Sequence, residues 1–221
     1  MADIRRLVIL RHGRTSWNAE RRFQGQADTD LDDVGVTQAA DVAPLIAAMQ
    51  PDLIVSSDLA RAARTAEKVG EIAGVQVRVD ARLRERHLGR WQGLTREEVE
   101  EKYPGEIAVW LTGHDVTTRG GETRGQVAAR AIALVDELPD VPLVVLVSHG
   151  ATAMCLSLAL LGLPQSPSVL GPLANCHWTE LHHEPKVHEP GEWRLRAHNA
   201  GAPGPVIPMV MPDQESADAT A

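Results

Sequence analysis

A chain of 221 residues with 30 acidic against 22 basic side chains, a formal net charge of −8, is long enough for one sizeable core and too acidic to suit a nucleic-acid partner. Two cysteines exclude a disulfide framework and point to a reducing, cytoplasmic setting. The apolar stretch Ala151 to Leu163 is too short to cross a bilayer, and the first apolar run begins so near the amino terminus that no signal peptide is expected.

The first element is that run, Leu7-Val8-Ile9-Leu10, which ends directly in Arg11-His12-Gly13. It predicts a buried parallel strand over 6–10 whose carboxyl end delivers a guanidinium and an imidazole to the sheet edge, where ligands bind in α/β folds. That pair suits phosphate, and Gly13 is expected to let the backbone pass close to a bound group. Asp28-Thr29-Asp30-Leu31-Asp32 reads as a polar turn into a helix over 37–49. No apolar strand precedes it, unlike the nucleophilic Asp-x-Asp of haloacid-dehalogenase-type phosphatases. Asp33 and Ala39 stand where an EF-hand loop requires glycine and glutamate.

A strand over 52–55 leads into a helix over 59–73, with Ser57 or Asp58 as its expected cap and Arg61 in its first turn. After a strand over 76–79, Leu83-Arg84-Glu85 places a carboxyl group on a loop ahead of Gly89 and Gly93. Short helices over 95–102 and 106–112 and the turn through Gly120-Gly121 predict an insertion over the site, with Glu97, Glu98, Glu100 and Glu101 on its exposed face. A helix over 123–138 precedes the apolar strand 143–148, which ends in His149-Gly150 just as the first ends in His12-Gly13; a helix over 151–162 follows. Trp178 to Leu181 and Trp193 to Leu195 read as a terminal hairpin, His182, His183 and His188 as a loop cluster without metal-ligand spacing, and 201–221 as a loosely held tail. Alternating strands and helices of this kind predict an α/β fold, three-layer α/β/α with a mostly parallel, doubly wound sheet, in one domain over 1–200. Neither Cys155 nor Cys176 opens a C-x5-R loop, and no Walker or G-x-S-x-G pattern occurs.

Five blocks in order resemble the histidine phosphatase superfamily, the clan that includes the cofactor-dependent phosphoglycerate mutases. They are Arg11-His12-Gly13 with Thr15, Trp17 and Asn18; Asp28, Leu31, Gly35, Gln38 and Ala39; Ser56-Ser57 with Arg61 and Thr65-Ala66; Glu85 with Gly89 and Gly93; and His149-Gly150. The resemblance implies a phosphoglycerate mutase-like fold and phosphoryl chemistry with no metal and no cofactor. A finer similarity, through Leu53 to Leu59, Arg78-Val79-Asp80, Arg82 to Glu85, His87-Leu88-Gly89, Trp91 to Thr95 and Gly120 to Arg124, is to glucosyl-3-phosphoglycerate phosphatases. It implies a small phosphorylated metabolite as the partner, and leaves a homodimer open.

Within that frame the residues have definable work. An unperturbed histidine titrates near 6.5, so at neutral pH His12 is mostly the neutral nucleophile and forms a phosphohistidine. Arg11 and Arg61 offer planar donor forks for the phosphoryl oxygens, and His149 adds a third donor if protonated. Glu85 gives a proton to the departing alkoxide and then takes one from water. By resemblance, Asn18, Gln24 and Gly150 complete the phosphate cradle; Arg14 receives no role. A phosphoglycerate mutase is disfavoured because the segment between Glu85 and His149 lacks an arginine-rich block, and a silent binding module because His12, Arg61, Glu85 and His149 are all present.

Overall fold

The computed structural model describes residues 6–165, 170–184 and 192–202. These form one six-stranded sheet of β1 (Arg6–Arg11), β2 (Leu53–Ser56), β3 (Val77–Val79), β4 (Leu143–Ser148), β5 (Trp178–Glu184) and β6 (Glu192–Ala200), in the spatial order β3-β2-β4-β1-β5-β6. The first four are mutually parallel, whereas β5 pairs antiparallel with β1 and β6 antiparallel with β5. The expected hairpin is thus the antiparallel edge of an otherwise parallel sheet, longer than its aromatic residues alone suggest.

Helices α1 (Ser16–Ala19), α2 (Asp33–Ala47), α3 (Ala60–Ala73), α4 (Arg96–Lys102), α5 (Glu106–Leu111), α6 (Arg124–Asp136) and α7 (Gly150–Leu160) complete the described architecture. Side chains alternate across the pleat, so β1 sends Leu7 and Ile9 to one face and Val8 and Leu10 to the other. The first face packs against α6 and α7 through Ala131, Leu134, Ala153 and Leu156. The second packs against α2 and α3 through Val42, Ile46, Ala66 and Val69. Each such leucine, isoleucine or valine stabilises the fold by about 1.5–3 kcal/mol when fully buried. A separate cluster of Trp91, Val99, Ile107 and Val116, with Phe23 and Trp110 against it, is the core of the insertion. The insertion is fastened to the segment after α1 by Phe23 N–H to Leu94 O (2.9 Å) and Gly93 N–H to Phe23 O (2.8 Å).

Helix α2 begins four residues before its expected start, because Asp32 accepts from Gly35 N–H at 2.8 Å and caps it. The cap of α3 also differs from the sequence reading. Leu59 occupies the cap position and offers no side-chain bond, and the carboxylate of Asp28 reaches across to accept from Ala60 N–H at 2.8 Å. Asp58 pairs with Arg84 instead, at 2.5 Å, and Ser57 Oγ accepts from Leu59 N–H at 3.3 Å. His182 lies 2.7 Å from Glu180, and His188 and residues 203–221 lie outside the described residues. Among the described residues no helix is long and apolar enough to cross a membrane.

Candidate active site

The first long helix after β1, α2, packs on one face of the sheet, and the helix after β4, α7, on the other. β1 and β4 are neighbours, so the chain leaves them in opposite directions and a crevice opens at their carboxyl ends. Register places the candidate residues in it. Arg11 pairs with Ser148, His12 N–H donates to Ser148 O at 3.0 Å, and Ser57 N–H donates to Val147 O at 2.9 Å, so His12, His149 and Ser57 emerge side by side.

His12 is almost wholly buried. Its Nδ1 lies 2.6 Å from the carbonyl of Gly13, an acceptor only, so Nδ1 carries the proton and Nε2 the lone pair. Arg61 Nε donates to that lone pair at 3.2 Å. Burial, then the charges of Arg61 and Arg11, hold the imidazole well below its usual pKa, outweighing the opposite pull of the Gly13 carbonyl. Arg61 is itself fully buried, anchored by Nη2 to Gly25 O (2.8 Å) and by Nη1 to Ala27 O (2.7 Å). Burial pushes its guanidinium down to about 10, against the attraction of Glu85 and Asp28, and it remains a cation at neutral pH. Arg11 donates from Nη1 to Leu173 O at 2.5 Å, while its buried Nε has no hydrogen-bond partner among the described residues.

His149 lies edge-on to His12, ring centroids 5.0 Å apart. Its Nε2 is 2.9 Å from Ser57 Oγ, and its buried Nδ1 has no partner among the described residues. Desolvation first, then Arg61, His12, Arg11 and Arg130, hold it well below the usual histidine range. Two buried polar atoms left unpaired beside a nucleophilic nitrogen mark where a ligand's acceptors fit, since each unpaired group is costly in isolation.

Glu85 reaches the amino end of α7. Its Oε1 accepts from Arg86 N–H (2.7 Å) and Thr152 N–H (3.2 Å), its Oε2 from Ala151 N–H alone (3.1 Å), and the Thr152 hydroxyl, 3.3 Å from Oε1, donates to the closer Arg84 O at 2.8 Å. Oε2 is therefore the oxygen with room for a proton. Gly150 opens that helix with its Cα against Arg11, where a Cβ would meet Arg11 Nε at 3.6 Å. Asn18 is drawn in through Asn175, whose Nδ2 donates to His12 O (3.0 Å) and to Asn18 Oδ1 (3.3 Å). Gln24 connects through Thr29, which donates to its Oε1 at 2.8 Å and accepts from Arg61 Nη1 at 3.4 Å.

Gly13 has a packing duty as well: a Cβ there would lie 2.5 Å from Gly35 O, so its smallness lets the loop approach α2. Its N–H donates to Thr65 Oγ1 at 3.1 Å, and Thr65 donates to Arg61 O at 2.7 Å, tying the loop to α3. Arg14 pairs with Asp32 at 2.8 Å. Sequence reasoning has no signal for Thr152 or Asn175 and sees Ser57 only as a cap. Among the described residues no group of three or more His, Cys, Asp or Glu side chains is gathered to hold a metal ion.

The chain is 47% identical to the glucosyl-3-phosphoglycerate phosphatase of Mycobacterium tuberculosis over 214 residues, covering 90% of this chain and 96% of the relative. It is 35% identical over 182 residues to a probable phosphoglycerate mutase of Salmonella paratyphi C, covering 80% and 85%. A solved mycobacterial glucosyl-3-phosphoglycerate phosphatase in complex with VO3 superposes with a TM-score of 0.80 at 47% identity, over 89% of this chain and 100% of that one. The profile of the histidine phosphatase superfamily (branch 1) matches residues 7–200, the span that holds the whole crevice, and the chain belongs to that superfamily.

Proposed function

We propose that the protein is a phosphomonoesterase that works through a phosphohistidine on His12, and that its substrate is glucosyl-3-phosphoglycerate. The observation that carries the mechanism is the His12 tautomer: Nδ1–H is committed to Gly13 O, and Nε2 is a free base facing the Arg61 guanidinium. A phosphoryl group entering there meets a lone pair and a cation together. Nε2 attacks phosphorus, the ester P–O bond breaks, and the departing alkoxide takes a proton from Glu85 Oε2. Water then attacks the phosphohistidine, the P–N bond breaks, and Glu85 recovers the proton. Arg11, Arg61, the unpaired His149 Nδ1 as an N–H donor, and the amino end of α7 at Gly150 compensate the charge of the transferring group, which makes the chemistry independent of metal. Asn18 and Gln24 add amide donors.

Support for the substrate comes from the relatives named above, which share nearly half their residues with this chain. The reaction class and its reducing, cytoplasmic setting suit a small phosphorylated metabolite. The test of the mechanism is acid-quench trapping: the wild-type enzyme yields an acid-labile phosphoenzyme, and folded His12→Ala yields neither phosphoenzyme nor turnover. Turnover in His12→Ala, or loss of wild-type activity in EDTA with recovery on a divalent ion, overturns the reading.

A further inference from the structure

A carboxamide serves a phosphate only if it turns its NH2, and not its oxygen, toward the anion. Either side chain gains that orientation only when something else holds its oxygen. Around Asn18 the assignment rests on the backbone: Thr15 N–H, which can only donate, lies 3.1 Å from Oδ1. Thr15 Oγ1 (3.2 Å) and Asn175 Nδ2 (3.3 Å) bring two more donors to the same oxygen. Nδ2 of Asn18 bonds no acceptor among the described residues. Around Gln24, Thr29 Oγ1 accepts from Arg61 Nη1 at 3.4 Å and donates to Gln24 Oε1 at 2.8 Å. Nε2 of Gln24 likewise bonds no acceptor among the described residues, although the residue is buried.

We infer that Asn175 and Thr29 are positioning residues that lock the carboxamides of Asn18 and Gln24 with oxygen held by protein and NH2 presented to the phosphate. The inference rests on the proposed function, because it assigns the two NH2 groups a phosphoryl oxygen as acceptor. Both locks are wired to the nucleophile's own supports. Asn175 holds His12 O with its second N–H, and Thr29 takes its bond from the guanidinium that faces His12 Nε2. Loss of Asn175 leaves Asn18 Oδ1 on Thr15 alone, and loss of the Thr29 hydroxyl leaves Gln24 Oε1 without its donor, so each NH2 is held less firmly toward the anion.

The test reads competitive inhibition by inorganic phosphate, with kcat and KM, across a double-mutant cycle of Asn18→Ala and Asn175→Ala. It includes the pair Thr29→Val and Thr29→Ser. Asn175→Ala also removes the bond to His12 O, but that loss is the same in both backgrounds and cancels in the cycle. The expected result is that each single variant weakens phosphate binding by about threefold to tenfold, that Asn175→Ala costs less in the Asn18→Ala background than in the wild type, and that Thr29→Ser retains the affinity that Thr29→Val loses. Additive losses in the cycle, an unaffected Asn18→Ala, or equal behaviour of Thr29→Val and the wild type overturns the inference. If Asn175→Ala does not fold, the Thr29 pair decides alone. Failure of the proposed function is separate: it appears as a wild-type protein that forms no phosphoenzyme, whereas failure of the locks leaves wild-type turnover intact.

Discussion

His12 and His149 are imidazoles held neutral by burial beside two guanidinium groups, and this has a measurable sign. In the proposed mechanism the neutral form of His12 attacks, so the acid limb of the kcat/KM profile should fall well below the ordinary histidine range instead of near 6.5. A limb centred at 6.5 or above would contradict the burial of His12. The same depression reaches stability. Between the depressed folded values and about 6.5 the unfolded chain binds more protons than the folded one, so stability is full above that range and lost as pH falls through it. Urea midpoints at pH 7.5 and 5.5 should differ in that direction, and less so in His149→Gln. At Glu85, Oε2 accepts only Ala151 N–H while Oε1 takes two backbone donors, so Oε2 is the oxygen with room for the proton. Glu85→Gln keeps the shape and should slow turnover of alkyl phosphates by about 10²–10⁴-fold, with a much smaller effect on nitrophenyl phosphate, whose leaving group needs no proton. Equal slowing of both substrates would place the role of Glu85 in binding.

At the scale of elements, α3 carries Arg61 and Thr65 into the crevice, yet its amino end is capped from a distant loop. Asp28→Ala removes the acceptor of Ala60 N–H and should lower stability by about 1 kcal/mol in chemical denaturation. The comparison variant is Asp58→Ala, which loses a surface pair with Arg84 and should leave the helix cap intact. This cap shows what sequence can and cannot disclose. Ser57 and Asp58 stand where a local cap belongs, and nothing in linear order reveals that an aspartate 32 residues upstream of Ala60 arrives first. Strand ends are legible because four apolar residues followed by Arg-His-Gly have only one comfortable reading. Asn175 and Thr152 are not, since their partners are set by the packing of loops and of α7, which no periodicity records. Gly13 reads from sequence as a close-approach position, but the body approached is α2.

For the whole molecule, the substrate is the remaining question the fold can help answer. The insertion built on Trp91 is bound to the Phe23 segment and so to the loop that holds Gln24, which places a folded wall beside the phosphate site. A sugar resting against such a wall adds binding energy that a bare glycerate lacks. Assays of released phosphate should therefore give a clearly higher kcat/KM for glucosyl-3-phosphoglycerate than for 3-phosphoglycerate, with no exchange between the 2- and 3-phosphoglycerates. A faster reaction with the bare glycerate would leave the phosphatase and remove the substrate. Parallel layers, the order of helices and the single sheet are readable from alternating patterns; the antiparallel edge is not, because a hairpin near the end of a chain can pair with either border of a sheet or with neither.

Strand β1 is the first to be made and lies between β4 and β5, two of the last three. Arg6 waits for Leu143 on one side and His182 on the other. During synthesis, Leu7 to Leu10 must remain without either hydrogen-bonded neighbour until most of the protein has left the ribosome, an exposed apolar strand that invites capture by chaperones or by other chains. At its end, His12 bonds the adjacent Gly13 carbonyl and meets Arg61 from α3, and it gains its histidine neighbour only when β4 arrives. Catalysis in this protein consequently waits for β4, and nascent chains that end before His149 should release no phosphate from substrate.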